Sequence, residues 1–306
     1  MSSEAQWVAV DWGTSNLRAW GIGAGGEVVF ARTSDQGMGK LARDAYASAF
    51  RQLLAADFAP AGPPVEALIC GMAGARQGWM EAPYLDVPAD LGALRAGAVA
   101  PAMTPGRLSV HILPGVCQRT AGAEDVMRGE ETQLLGLATL RPGFSGVVCM
   151  PGTHCKWVQL SGERLERFST AMTGELFEVL RTHSVLRHSF GGSLEGPDRG
   201  RGLDEGLVVG IEAPQKLPAL LFKVRSASLL SGRTPDWCAG FLSGLLIGSE
   251  IGANRDWIDG SGVAIVGDAK LAQLYVKGLA MMGAATQIID GGEATLAGLK
   301  AARRQS

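Results

Sequence analysis

The chain has 306 residues, 46% of them hydrophobic, enough for two domains each with its own core, which argues against disorder. A formal net charge of -2 leaves no basic field of the kind a phosphate backbone demands, so nucleic acid is a poor partner class. Five cysteines without a C-x-x-C pair and four histidines without metal-ligand spacing read as reduced thiols in a cytoplasmic protein. The start, Met-Ser-Ser-Glu-Ala-Gln, lacks a signal-peptide apolar region, and no apolar run is long enough to cross a membrane.

In chain order, strands are expected at 7–11, 17–22 and 27–32. The first break falls in VAVDWGTSNLRAW, Val8 to Trp20, where Gly13 permits a close turn, Thr14, Ser15 and Asn16 offer short donors, and Arg18 offers a fixed cation. That combination suits an anion, although an ordinary hairpin uses the same turn residues. Gly21-Ile-Gly-Ala-Gly-Gly26 matches G-x-G-x-x-G formally, but a β-rich segment follows where a dinucleotide fingerprint needs a helix, so it reads as a hairpin loop. A helix is expected over 42–55, then loop signals at Pro60, Gly62, Pro63 and Pro64. A buried strand at 65–70 runs into a glycine-flanked loop, Gly71 to Trp79, carrying Arg76. A strand at 110–113 follows, and Asp125 to Gly136 reads as a loop entering a helix, with Glu130 and Glu131 where the helix dipole favours negative charge.

Arg141-Pro-Gly-Phe-Ser-Gly146 then separates two halves, 1–141 and 142–306. The second opens as the first does. Val147 to Val158 is an apolar strand, a Gly-Thr turn, a cation (Lys156) and more apolar residues, and a Gly-Glu turn follows in both copies (Gly26-Glu27, Gly162-Glu163). This repetition predicts a duplicated fold. Beyond it come a helix over 175–182, a variable-looking Gly/Arg/Asp segment from Gly191 to Gly206, and an apolar helix over 238–251. A strand at 263–266, the turn Gly267-Asp268, a helix over 270–281, a strand at 286–289 and a closing helix from about Glu293 complete the chain.

The duplicated unit, with its Asp-x-Gly-Thr turn, Gly-Thr turn and late Gly-Asp turn, resembles the actin-like ATPase and sugar-kinase superfamily. Within it the chain resembles the 2-dehydro-3-deoxygalactonokinase family, through VDWGTSNLRAW, GMAGARQGWMEAPYL (71–85), VMRGEETQLLG (126–136), MPGTHCKWVQL (150–160), MTGELFEVL (172–180) and FLSGLLIGSEI (241–251). The resemblance implies an α/β fold of two actin-like (ribonuclease H-like) domains flanking a nucleotide cleft, the first on the sugar-acid side and the second on the nucleotide side. It also implies ATP-dependent phosphorylation of 2-dehydro-3-deoxy-D-galactonate at its C6 hydroxyl.

On that resemblance Gly13, Thr14, Ser15 and Asn16 hold the β- and γ-phosphates, Asp11 orients Mg2+ through water, and Arg18 steadies a phosphate or a nearby acid. Gly152, Thr153 and His154 contact the phosphates of the same nucleotide, and Gly267, Gly291 and Gly292 resemble adenosine-binding turns. Glu130 is the candidate general base, with Glu131 its neighbour, expected to point away and pair with a cation. Arg76, and after it Arg128, is the candidate partner for the substrate carboxylate. Plainer readings stand beside these: Asp11 as a turn cap, Glu130 and Glu131 as helix-start acids pairing with Arg128, Arg76 as a surface arginine, Trp79 and Tyr84 as core. A kinase for another small sugar acid, a nucleotide or sugar sensor on the same fold, and a hydrolase without an acceptor sugar are the other functional classes. The sequence allows a homo-oligomer.

Overall fold

Trp7–Trp12 (β1) is buried along nearly its whole length, as a strand with neighbours on both sides must be. In the computed structural model, which describes residues 4–58, 62–102, 107–258, 260 and 262–304, β1 pairs antiparallel with Leu17–Ile22 (β2). The residues 1–3 at the start and the loop signal Pro60 lie outside the described residues. Next come Val28–Ser34 (β3), the helix Tyr46–Leu54 (α1) and Val65–Gly71 (β4). Tyr84–Asp86 (β5), Ala89–Asp90 (β6), Leu108–Ile112 (β7), Gly115–Gln118 (β8), Asp125–Met127 (β9) and the helix Glu130–Leu140 (α2) follow. The main sheet has the order β3-β2-β1-β4-β7, with β1, β4 and β7 parallel, and β5-β8-β9 form a small sheet. Its core joins Val8, Val10 and Trp12 to Tyr46, Phe50, Ile69, Val110 and Ile112.

The second half begins with Ser145–Met150 (β10), Cys155–Ser161 (β11) and Arg164–Ala171 (β12). The helices Thr173–His183 (α3), Arg199–Glu212 (α4), Leu217–Ser231 (α5) and Pro235–Ala253 (α6) come next, then Val263–Gly267 (β13), Ala269–Met281 (α7), Thr286–Asp290 (β14) and Gly291–Arg304 (α8). Here the order is β14-β13-β10-β11-β12-β6, with β10, β13 and β14 parallel and the two-residue β6 antiparallel to β12 at the edge. Both sheets therefore have their first three strands on one side and the fourth and fifth, parallel to the first, on the other. This is the duplicated actin-like α/β fold that the repeated turns predict.

Contacts gather the chain into two units that are not its contiguous halves. Residues 160–167 and 291–306 pack with Met1–Ser145, leaving 146–159 and 168–290 as the second unit, so the division at 141/142 is crossed twice. The physical reason for the second crossing is a glycine seam. Gly136 on α2 faces the Ala294 backbone of α8, and Gly298 on α8 faces Thr132 of α2, so close that neither position has room for a Cβ.

A second seam falls in the variable-looking stretch 191–206, for which no element is expected. From Arg199 that stretch is the start of α4, and its glycines are a packing face: Gly202, Gly206 and Gly210 lie against the backbone of α6, where Gly240, Gly244 and Gly248 return the contact. Glycine weakens a lone helix, yet one at every fourth residue lets two helix backbones touch along a single stripe. The helix α5 has no counterpart in the sequence expectations, and α6 is longer than 238–251 at both ends. Among the described residues no helix is long and apolar enough to cross a membrane.

A Cβ at Gly244 would lie 2.7 Å from the Leu207 backbone nitrogen. Gly244→Ala must therefore push two backbones apart, and we expect a loss of about 1–3 kcal/mol or more, the usual range for overpacking. Thermal denaturation of the variant checks this; an unchanged Tm would mean that the α4–α6 seam is looser than described.

Candidate functional site

In the first unit, parallel pairing sets Asp11 beside Cys70 and Trp12 beside Gly71, so β1 and β4 end together. Ligands of parallel sheets bind at such carboxyl ends. The turn after β1 closes through the Gly13 N–H, which donates to the Asn16 carbonyl at 2.8 Å, and it leaves Thr14, Ser15 and Asn16 exposed. It is braced from behind. Met38 N–H donates to the Gly13 carbonyl at 3.0 Å and Gly39 N–H to the Thr14 carbonyl at 2.9 Å, while Gly37 packs on the Thr14–Ser15 backbone where a Cβ would collide. With those carbonyls engaged, the polar side chains of the turn face solvent. Asp11 keeps 15% of its side chain exposed and accepts from Arg18 Nη2 at 2.6 Å, so Arg18 meets the nearby acid.

Gly71 has φ +88°, and a Cβ there would stand 2.7 Å from the Trp12 carbonyl oxygen. Gly129 has φ +109°, and its Cβ would be 3.3 Å from Gly71 Cα. Both positions need glycine for conformation and for closeness. Together they bring the start of α2 against the ends of β1 and β4. There the two acids behave differently. Glu130, half-buried, accepts from Arg128 N–H at 3.0 Å. Glu131 is fully buried, accepting from Gly129 N–H at 2.7 Å and the Thr132 hydroxyl at 3.1 Å. It turns inward onto the backbone that precedes it, which corrects the expectation of a cation pair. Burial first, then the charge of Glu130, pushes the Glu131 carboxyl up to about 7. Burial, with Asp11 and Glu131 close enough to add to it, raises the Cys70 thiol as well.

The two candidate arginines also differ. Arg76 is 80% exposed, and its Nε lies 3.4 Å from Glu81 Oε1, as a surface loop arginine would. Arg128 is half-buried beneath the same loop, with Nη2 donating to the Ala82 carbonyl at 2.8 Å and the guanidinium 4.3 Å from the Tyr84 ring centre. Its Nε and Nη1 are buried without a hydrogen-bond partner. Trp79 packs against Trp12, Tyr46 and Phe50, which makes it core.

In the second unit, the turn Gly152–His154 follows β10 at its carboxyl end, with Thr153 and His154 exposed. Gly267, at the end of parallel β13, lies so near that its Cβ would be 3.3 Å from the Pro151 carbonyl oxygen. The start of α3 braces this turn. A Cβ at Gly174 would be 2.9 Å from Thr153 Cα, Glu175 N–H donates to the Thr153 carbonyl at 3.0 Å, and the Glu175 carboxylate meets His154 Nε2 at 2.5 Å. Asp268 caps α7, accepting from Lys270 N–H at 3.0 Å and Leu271 N–H at 3.1 Å. Gly291 and Gly292 are not a separate turn but the first two residues of α8, two positions ahead of the expected start.

The sequence reading did not single out the bracing glycines Gly37, Gly71, Gly129 and Gly174. A glycine directly after a buried strand or directly before a pair of acids is the signal that marks Gly71 and Gly129.

A family model described as 2-keto-3-deoxy-galactonokinase matches residues 11–302 of the chain. A protein of Rhizobium meliloti (strain 1021) named as a 2-dehydro-3-deoxygalactonokinase is 42% identical over 305 residues, 99% of this chain and 98% of that one. The 2-dehydro-3-deoxygalactonokinase of Escherichia coli (strain K12) is 34% identical over 297 residues, 97% of each chain. A crystal structure from Sinorhizobium meliloti, described as a 2-dehydro-3-deoxygalactonokinase protein, superposes with a TM-score of 0.89 at 41% identity, covering 97% of this chain and 96% of that one.

The buried Glu131 sets a pH dependence. Its folded value of about 7 lies above the ordinary 4.5, so between these values the folded chain holds a proton that the unfolded chain has lost. This group's contribution to stability therefore falls as pH rises from about 4.5 to 7 and levels off above, by about 3 kcal/mol in all. Glu131→Gln keeps an acceptor for the Gly129 N–H. Denaturant unfolding across pH 4–9 should show the parent losing stability relative to the variant over that window, and parallel curves would contradict a buried, proton-holding Glu131.

Proposed function

The chain belongs to the 2-keto-3-deoxy-galactonokinase family, and from that premise we propose that it transfers the γ-phosphoryl group of ATP to the C6 hydroxyl of 2-dehydro-3-deoxy-D-galactonate, in D-galactonate catabolism. The observation that carries this reading is the acid pair Glu130–Glu131, held by Gly71 and Gly129 at the same sheet edge as the exposed donor turn Gly13–Asn16. Phosphoryl transfer requires positioning and charge neutralisation more than covalent chemistry, and a carboxylate near the acceptor hydroxyl.

Thr14, Ser15 and Asn16 donate to the β- and γ-phosphates, Gly13 lets the turn close beneath them with its N–H on the Asn16 carbonyl, and Arg18 holds the Asp11 carboxylate in place. Asp11, part-exposed beside hydroxyl and amide donors, offers the hard oxygen that a hydrated Mg2+ takes. Bound there, the ion would neutralise phosphate charge. In the second unit Gly152, Thr153 and His154 offer a phosphate-contacting turn and Gly267 an adenosine-binding backbone, while in the first unit the backbone at Gly291 and Gly292 is suited to the same adenosine-binding role.

Glu130 accepts the proton of the C6 hydroxyl. Half-buried, it retains access to a ligand, whereas Glu131 is enclosed and fixes the helix start by holding the Gly129 N–H. For the substrate carboxylate the two arginines exchange rank: Arg128, with two buried donors lacking partners, suits a planar carboxylate, and exposed Arg76 serves at the rim. The described cysteines are free thiols, which supports a reducing, cytoplasmic setting.

Purified protein should release ADP from ATP only when the sugar acid is present, and 2-dehydro-3-deoxygalactonate should be the best substrate in a coupled assay across 2-keto-3-deoxy sugar acids. Glu130→Gln should lower kcat about 10²- to 10⁴-fold with both KM values near the parent's, since a general base acts mainly in the transition state. ADP release without any sugar acid would favour a hydrolase, and an unaffected Glu130→Gln would move the base elsewhere.

A further inference from the structure

Glu250 lies on α6, only 6% exposed, and plays no part in the chemistry above. Its Oε1 accepts from Trp157 Nε1 at 2.7 Å, and its Oε2 accepts from the Tyr275 hydroxyl at 2.9 Å and from the Thr173 hydroxyl. Burial raises the Glu250 carboxyl and these donors oppose it. An indole N–H can only donate, so the carboxylate is the acceptor around which the others are arranged. Cys149 and Cys155 bring their sulfurs within 3.7 Å of each other, and with a Glu250 oxygen all three ligand atoms lie within 4.8 Å, a spacing compatible with a cation. The carboxylate is already engaged by three donors, however, and burial holds both thiols above their usual range. The cluster is a hydrogen-bond hub.

We infer that Glu250 is a positioning residue for the turn Gly152–His154, acting through Thr173; this rests on the reading of that turn as nucleotide-binding. Thr173 opens α3, and the two residues after it are those that brace the turn: Gly174 packs on Gly152 and Thr153, and Glu175 binds the Thr153 carbonyl and His154. Trp157 stands on β11, the strand that leaves the turn. One buried carboxylate, with donors on both oxygens, therefore fixes the bracing helix and the outgoing strand together. Tyr275 ties in α7, the helix that follows Gly267. A carboxylate so loaded cannot rotate without leaving buried donors unpaired, which makes the arrangement stiff.

The test is the ADP dissociation constant of the full chain by isothermal titration calorimetry, with KM values for ATP and the sugar acid beside it. Thr173→Val removes only the hydroxyl link and should weaken ADP binding about tenfold, the scale of one hydrogen bond to a charged group, with KM for ATP rising in parallel. KM for the sugar acid should stay within about twofold, and Thr173→Ser, which restores the donor, should return both to parent values. Glu250→Gln should act like Thr173→Val; should it fail to fold, the Thr173 pair decides. Gly152→Ala is the control on the underlying reading, since space is open at that position. If Gly152→Ala weakens ADP binding and Thr173→Val does not, the positioning role is wrong while the nucleotide turn stands. If neither does, the reading of the turn falls and the inference with it. Equal losses for ADP and sugar acid in Thr173→Val would indicate a general structural role and also overturn it.

Discussion

Position 71 has no room for a side chain. Its Cα lies close to both the Trp12 carbonyl and Gly129, at a φ that L side chains rarely adopt, and the placement of α2 depends on that closeness. Were β4 to end in any other residue, the start of α2 would have to stand further from the sheet edge. Because it does not, Gly129 meets Gly71, the Glu131 carboxylate folds inward onto the Gly129 N–H, and Glu130 remains the acid with access to a ligand. Full burial of one acid and half-burial of its neighbour follow from the same contact. The α2–α8 glycine seam fixes the other side of the helix, so α2 is held at its start and along its length by backbone against backbone.

The second unit reaches a similar result with different parts. Apart from the edge strand β6 its sheet has the same strand order, and its turn also leaves the carboxyl end of the first strand, with the next parallel strand ending close by at Gly267. The brace here is the start of α3, where Gly174 replaces a side chain with contact and Glu175 supplies the hydrogen bonds. In the first unit the corresponding support is the short segment Gly37–Gly39. Each turn thus spends its backbone carbonyls on a neighbour and turns its polar side chains outward. Such preorganisation suits electrostatic work on phosphates, because little reorganisation remains for the moment of reaction.

Much of this was legible in the sequence, and the exceptions share a cause. The strands of both sheets could be read because buried parallel strands are continuous apolar runs, and the repeated turns announced the duplication. The start of α4 is hard to read because glycine weakens a helix, while a glycine at every fourth residue is also what lets two helices touch. Likewise Gly291 and Gly292 look like a turn but open α8. The pair of acids at 130 and 131 stands out in the sequence, but not which of them is buried, since burial of Glu131 depends on a tertiary contact with β4. Arg76 looked better placed than Arg128 because a glycine-flanked loop suggests a site, whereas the buried donors of Arg128 exist only once the loop covers it. Glu250 gave no local signal, its donors coming from positions 157, 173 and 275.

We propose that the sugar acid binds at the start of α2, over the junction of Gly71 and Gly129. Amide hydrogen exchange with and without saturating 2-dehydro-3-deoxygalactonate, in the absence of nucleotide, tests it most directly. The account predicts slowed exchange concentrated in 72–84 and 128–131. Protection confined to other segments, with those two unchanged, would contradict it.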